Sequence, residues 1–513
     1  MKRMRLRSVI SAVSVAIVTA AVAVAVTSYV VSGTGVSETG VPETQPVGQA
    51  EAAVPQGTVG VSDSGALLWS TDAELDTTLT VLKAAGITSL RISIPWPTVE
   101  LSQNRLDWTA VDRVVGAVAA RGISMLGIIA YTPPWATSPP GGPISTRPAS
   151  PALFGQFAGK VAARYKGRIA AYEIWNEPNG AFFYGPAPDA AGYTALLTSA
   201  YPAIKAADSA ATVIGGVLGA VVDMPGVQNP VTFTRQMYAA GAAGKFDALS
   251  FHPYQYSLKF ADGVYVDDSP ARQIMDIRAA MVAAGDGAKK IWATEYGVPT
   301  SVVSEAQQND MITHLITKWQ ELPFAGPIYL YQLRDQQTGS ADPEMTFGLM
   351  RTDWSAKPAL WGVMSLLANH IPRTPEYTRF TAVPAVFGAA TSPVFPIRTR
   401  WAQIREYATV YEMPSGFIAA PPAVANAVRY TGFLPTTGFA NGYQDFDSPF
   451  GLRVFSTDIG GTRLIGGGII AAWDPTLGPA TSDEIPLPGG GVRVTFQYGT
   501  ITWRPGTGAV VVR

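Results

Sequence analysis

The chain has 513 residues, with 37 Lys plus Arg against 38 Asp plus Glu and no cysteine. That length exceeds one ordinary domain and allows a sizeable core, while sparse, balanced charge offers no basic field to hold a nucleic acid. The missing thiols exclude disulfides, Cys-ligated zinc and cysteine nucleophiles, and with only His252, His314 and His370 as imidazoles no metal or other cofactor is expected.

Residues 1–31 open with MKRMRLR and continue as an uncharged stretch rich in Ala and Val. A cleavable signal peptide has an apolar core of about 7 to 15 residues and a membrane-spanning helix needs about 20. This stretch is long enough to span, so it reads as a signal peptide or a signal-anchor helix. Lys2, Arg3, Arg5 and Arg7 place the N-terminus in the cytoplasm and the rest of the chain outside on either reading. Attachment to the membrane through the N-terminal segment, or secretion, is the expectation. Residues 32–57 are Gly, Ser, Thr, Pro, Val and Glu without periodicity, the composition of a disordered tether.

From residue 58 onward, short β-rich runs alternate with helical patterns. The runs are 58–62, 89–94, 124–131, 170–175, 212–217, 246–251, 290–295 and 328–333. Between the first two lies TDAELDTTLTVLKAAG, where Thr71 can cap, Leu75, Leu79 and Leu82 keep helical spacing, and Gly86 stops the helix. Eight βα units over 58–370 predict a (β/α)8 TIM barrel, with its site at the C-terminal ends of the strands. After ALWGVMSLLANH the character changes to Gly, Pro and short alternating strands, which predicts a smaller all-β region over 371–513.

Two glutamates stand at expected strand ends: Glu177 in IWNEPN after strand four and Glu295 in IWATEYG after strand seven. Strand ends 4 and 7 face each other across a barrel mouth. Hydrolysis of a glycosidic bond with retention needs a carboxylic acid and, about 5 to 5.5 Å away, a carboxylate nucleophile. Asn176 can reach a sugar hydroxyl, and Pro178 turns the chain after Glu177. Arg91 can keep a nearby carboxylate ionised, Tyr254 can donate to Glu295, and His252 can bind a sugar hydroxyl. Trp135 and Tyr296, with Trp96, Tyr131, Phe183, Tyr184 and Tyr256, are candidate platforms for sugar rings.

On these motifs the barrel resembles the clan A glycoside hydrolases, and most of all family 39, which includes β-xylosidases, α-L-iduronidases and exopolysaccharide hydrolases. The matching residues are Asn176-Glu177, Glu295, the His252-Pro253-Tyr254 triplet, Arg91 in SLRISIPW and the segment FGLMRTDWSAKPAL. The resemblance implies that Glu177 is the acid/base and Glu295 the nucleophile. One departure is the end of strand eight, where the clan often carries tryptophan and this chain has Tyr331 and Gln332. The expected function is therefore retaining hydrolysis of O-glycosidic bonds in a cell-envelope or extracellular polysaccharide or oligosaccharide, by double displacement. A non-catalytic glycan-binding barrel, and a transglycosylase with the same carboxylates, are the alternatives.

The carboxy-terminal stretch, about 455–513, resembles LGFP repeats through Leu477, Gly478, Thr481, Glu484, Gly489, Gly490, Phe496, Gly499, Ile501 and Trp503, with a fainter copy in LRVFSTDIGGTRLIGGGIIAAW. Such repeats imply contact with cell-wall glycan, against the plainer reading of a β-domain that packs on the barrel.

Overall fold

Eight buried runs close into a parallel barrel in sequence order: β1 (Val59–Ser62), β2 (Ser89–Pro95), β3 (Ser124–Ala130), β4 (Ala171–Ile174), β5 (Thr212–Gly219), β6 (Ala248–His252), β7 (Ile291–Tyr296) and β8 (Ala325–Leu330), with β8 pairing back onto β1. The computed structural model describes residues 57–63 and 65–513; the expected export segment and nearly all of the tether lie outside the described residues. Among the described residues, no helix is long and apolar enough to cross a membrane.

The strands read as continuous apolar runs because helices cover one face and the barrel interior the other. Leu126, Ala171, Ile214, Ala248, Trp292 and Tyr329, one from each of β3 to β8, form one buried cluster. Outside, the helix Asp72–Ala84 buries Leu75, Leu79 and Leu82, and Thr71 and Glu74 make a reciprocal capping box. Each buried leucine contributes about 1.5 to 3 kcal/mol, and Leu79→Ala would cost about 2 to 5 kcal/mol. Gly86 follows at φ 74°, a left-handed stop that only glycine takes without strain.

The eighth strand begins three residues before its expected start, at Ala325, and ends at Leu330. Pro327, which lacks an N–H to donate to a ladder, lies within it. The pairs Ile291 with Ala325 and Ala293 with Ile328 flank that proline, and the register shifts between them. Proline is tolerated at such an irregularity.

The chain divides into two compact units. One runs to Phe260 and continues over Asp268–Gln320 and Phe324–Pro372; the other comprises Ala261–Asp267, Glu321–Pro323 and Arg373–Arg513. The second unit holds three antiparallel sheets: β9 (Phe395–Ile397) to β12 (Gly416–Ala420) through β10 (Arg400–Ile404) and β11 (Thr409–Met413); β13 (Tyr443–Phe446), β14 (Leu452–Thr457) and β15 (Gly461–Gly466); and β16 (Ile485–Pro486) to β19 (Gly508–Val512) through β17 (Val492–Phe496) and β18 (Gly499–Arg504). Val494, Phe496 and Ile501 of the last sheet share a core with Phe455 and Ile465 of the middle one.

Candidate active site

Glu177 follows β4 on backbone that L-residues seldom adopt: Trp175 has φ 72° and Glu177 φ 41°. Such conformations cost about 1 to 3 kcal/mol each and persist only where the surroundings fix them. Here the Glu177 N–H donates to Val217 O at 2.9 Å, and the Gly180 N–H donates to Glu177 O at 3.0 Å. Opposite, β5 shifts register between Gly216 and Leu218 and brings Gly219 against the carboxylate. A Cβ on Gly219 would lie 3.0 Å from Glu177 Cδ and 3.1 Å from Oε1. Asn179 holds that glycine in place, its Oδ1 accepting the Gly219 N–H at 3.0 Å and its Nδ2 donating to Gly219 O at 2.9 Å.

Glu295 lies near the end of β7. One carboxylate oxygen accepts from Arg91 Nη1, and the other accepts from Tyr254 Oη at 3.0 Å. Arg91, 2% exposed on β2, also donates from Nε to Glu173 at 2.5 Å, from Nη1 to Ser62 Oγ at 3.0 Å and from Nη2 to Asn176 Oδ1 at 3.2 Å. Burial pushes the Glu295 carboxyl up, but Arg91, His252 and the Tyr254 hydrogen bond outweigh it and hold Glu295 below the usual carboxylate range. Burial also raises the Tyr254 phenol well above its ordinary value, which keeps it a donor.

His252 ends β6 fully buried, and both ring nitrogens are occupied within the protein. Nδ1 lies 2.9 Å from Glu177 Oε1, and Nε2 lies 3.0 Å from Thr294 Oγ1, which also bonds Ser250 Oγ. His252, the residue expected to bind a sugar hydroxyl, thus bonds Glu177 through Nδ1. One ligand atom each from Glu177, His252 and Glu295 lie within 4.8 Å of one another. These three atoms are near enough to hold a cation, but both oxygens of Glu295 already accept bonds from a guanidinium and a phenol, so the charge an ion needs is offset.

The aromatic candidates divide. Tyr254, Tyr256, Tyr331 and Phe347 gather beside Glu295, with ring centroids 5.2 to 6.5 Å apart. Tyr296 is 3% exposed and packs on Tyr254. Trp135 is half-buried, edge-on to Trp96, and its Nε1 donates to Glu100 O at 2.9 Å. Trp96 itself is core, stacked on Phe157.

The sequence reading missed several residues. Glu173 is a lone charge on the buried strand β4, a signal of an ion pair, and Arg91 is its partner. Thr294 and Ser250 sit on neighbouring strands. Glu344, in the short turn Pro343–Met345, is buried beside Tyr331, whose Oη donates to it at 3.3 Å. Burial and the charge of Glu295 push its carboxyl up to about 8, so it is a neutral acid at pH 7.

The sequence profile described as Cellulase (glycosyl hydrolase family 5) matches residues 47–321, more than half of the chain. The chain belongs to glycosyl hydrolase family 5. This family 5 protein is a glycosidase, and its residues 477–513 match the LGFP repeat. A family 39 glycoside hydrolase from Bacteroides cellulosilyticus aligns with 80% of this chain and 79% of its own, at 16% identity and TM-score 0.52. A variant of a family 5, subfamily 18 protein from Streptomyces cattleya, in complex with Manβ1-4GlcNAc, covers 63% of this chain and 82% of its own, at 16% identity and TM-score 0.50. Identities this low speak to the fold alone. No curated protein matches this family 5 sequence.

Proposed function

We propose that the protein is an exported retaining glycosidase acting on a cell-envelope or extracellular polysaccharide, with Glu295 as nucleophile and Glu177 as acid and then base. The observation that carries this reading is the approach of the Glu177 and Glu295 carboxylate oxygens to within 4.8 Å. Retaining pairs stand about 5 to 5.5 Å apart, whereas inverting pairs leave about 6.5 to 9.5 Å for a water. The separation supports double displacement.

The unequal surroundings of the two carboxylates support the assignment of roles. Glu295, ionised by Arg91 and oriented by Tyr254, attacks the anomeric carbon. As the bond to the leaving oxygen breaks, Glu177 gives that oxygen its proton, and a glycosyl ester forms on Glu295. Glu177, now a carboxylate, takes a proton from water; the water oxygen bonds the anomeric carbon and Glu295 departs with its electron pair. His252 keeps the Glu177 carboxylate aimed through both steps, and the backbone of Gly219 closes its far side. The apolar N-terminal stretch supports export, and the LGFP match supports association with the cell wall.

The test is chemical rescue on an activated aryl glycoside. Glu295→Ala with azide should release a glycosyl azide of inverted anomeric configuration; near-normal turnover without azide would remove Glu295 from the role.

A further inference from the structure

The hydrogen bonds of the second unit repeat. Tyr407 N–H donates to Phe387 O at 3.2 Å, Glu406 N–H to Ala389 O at 3.0 Å, Thr391 N–H to Ile404 O at 2.9 Å, and Ile404 N–H to Ser392 Oγ at 2.9 Å. In the LGFP stretch the same four bonds run from Tyr498 to Leu477 at 3.0 Å, Gln497 to Pro479 at 3.0 Å, Thr481 to Thr495 at 2.8 Å, and Thr495 to Ser482 Oγ at 3.0 Å. Between the two, Asp447 N–H donates to Leu434 O at 2.9 Å, Thr436 N–H to Asp445 O at 2.8 Å, and Asp445 N–H to Thr437 Oγ1 at 3.1 Å. The hydroxyls of Ser392, Thr437 and Ser482 thus recur at a fixed step of 45 residues. The unit is a tandem array of three copies of one motif, of which the family match covers only the last.

The outer copies share a feature that the middle one lacks. Gly388 and Gly478 have φ 77° and 70°, and a Cβ on either would come 3.1 Å or 3.3 Å from Cδ2 of Tyr407 or Tyr498. Each tyrosine ring therefore rests on bare glycine backbone at a hairpin tip while staying largely open to water, 66% and 61% exposed. Phe433 occupies the glycine position in the middle copy, where the hairpin is longer. Neither exposed ring buries much surface, yet in both copies a ring edge lies beside the bare glycine at matching positions.

We propose that Tyr407 and Tyr498 are two equivalent stacking platforms by which the second unit binds a neutral polysaccharide. A rigid aromatic face covers the C–H face of a sugar ring while the hydroxyls stay in water. The neighbouring charges are committed inside the protein: Arg405 donates to Gly388 O at 2.8 Å and Gln403 Oε1 at 2.9 Å, and Glu406 accepts from Ala389 N at 3.0 Å. Gln497 and Gly499, which flank Tyr498, are uncharged. The rings are thus the groups free for recognition, and a polymer of repeating units suits two identical sites. The choice of polysaccharide rests on the glycosidase barrel of the same chain.

The test uses the full chain carrying Glu177→Gln, which removes hydrolysis, and measures retention on insoluble cellulose, xylan, mannan and chitin. Retention on at least one is expected. Tyr407→Ala or Tyr498→Ala should each weaken it on the order of 10²-fold by removing bivalency, and the double variant should pass through unretained. Tyr407→Trp with Tyr498→Trp keeps both platforms and should still bind, which separates loss of a ring from loss of the fold. Passage of the parent over all four polymers, or retention of the double alanine variant at the parent level, overturns the proposal. Tyrosine-dependent retention by a protein whose native sequence shows no turnover would sink the catalytic reading and leave this one standing.

Discussion

The barrel mouth and the repeat array treat polar groups in opposite ways. At the mouth, Arg91, Glu173, Ser250, His252 and Thr294 are buried and bonded to one another, so each depends on its neighbours. In the array the recurring bonds are mostly backbone, with one hydroxyl per copy, and the conspicuous rings face water. Chemistry demands a dry, interdependent site, in which the low local dielectric makes every misplaced group costly. A repeated surface instead gains from number, and each copy tolerates drift, as Phe433 in the middle copy illustrates.

The contrast breaks most sharply if the carboxylates are removed. Glu295→Ala and Glu177→Gln should each cut kcat by roughly 10⁴-fold or more, while thermal unfolding stays close to the parent; comparable kinetics would place the chemistry elsewhere. Arg91→Met should strike both function and fold. It leaves Glu173 buried without its cation, at a cost of about 3 to 5 kcal/mol by denaturant unfolding. It also frees Glu295 from the charge that depresses its carboxyl, so the acid limb of kcat/KM should move to higher pH. An unmoved limb would show that Arg91 does not set the ionisation of Glu295. Gly219→Ala tests positioning alone: the added methyl crowds Glu177, and kcat should fall about 10²-fold with little change in melting temperature.

Two smaller effects sharpen the comparison. Glu344 has a folded pKa of about 8 against an ordinary 4.5, so its contribution to stability is complete below about pH 4.5 and declines as pH rises to about 8. Glu344→Gln should flatten that slope in melting curves taken across the window. In the array, Ser482→Ala removes one hydroxyl acceptor from a strand N–H and should cost about 1 kcal/mol. A loss several times larger would mean the copies are as interdependent as the mouth.

The sequence made legible whatever depended on residue type and chain position. Eight apolar runs with helical spacers pointed to the barrel, and Glu177, Glu295, Arg91 and Tyr254 could be placed because strand ends converge at one face. Partners across strands stayed hidden. The Gly219 contact needs the β5 register shift, and the bond from His252 to Glu177 needs the left-handed turn at Glu177, neither of which periodicity reveals. The sequence shows one clear copy and a faint one because the three copies share mainly a pattern of backbone bonds, with one hydroxyl each, where most side-chain identities need not persist.

The sharing of Arg91 between two carboxylates bears on the covalent intermediate of the proposed mechanism. In the proposed mechanism Glu295 loses its negative charge on becoming an ester, and a guanidinium paired with it alone would be stranded in a medium that solvates cations poorly. Glu173, bonded to Arg91 Nε at 2.5 Å and sealed from water, keeps that guanidinium paired. A second buried partner thus keeps the guanidinium paired at the proposed ester, which lowers the energy of that intermediate relative to an arginine with a single partner.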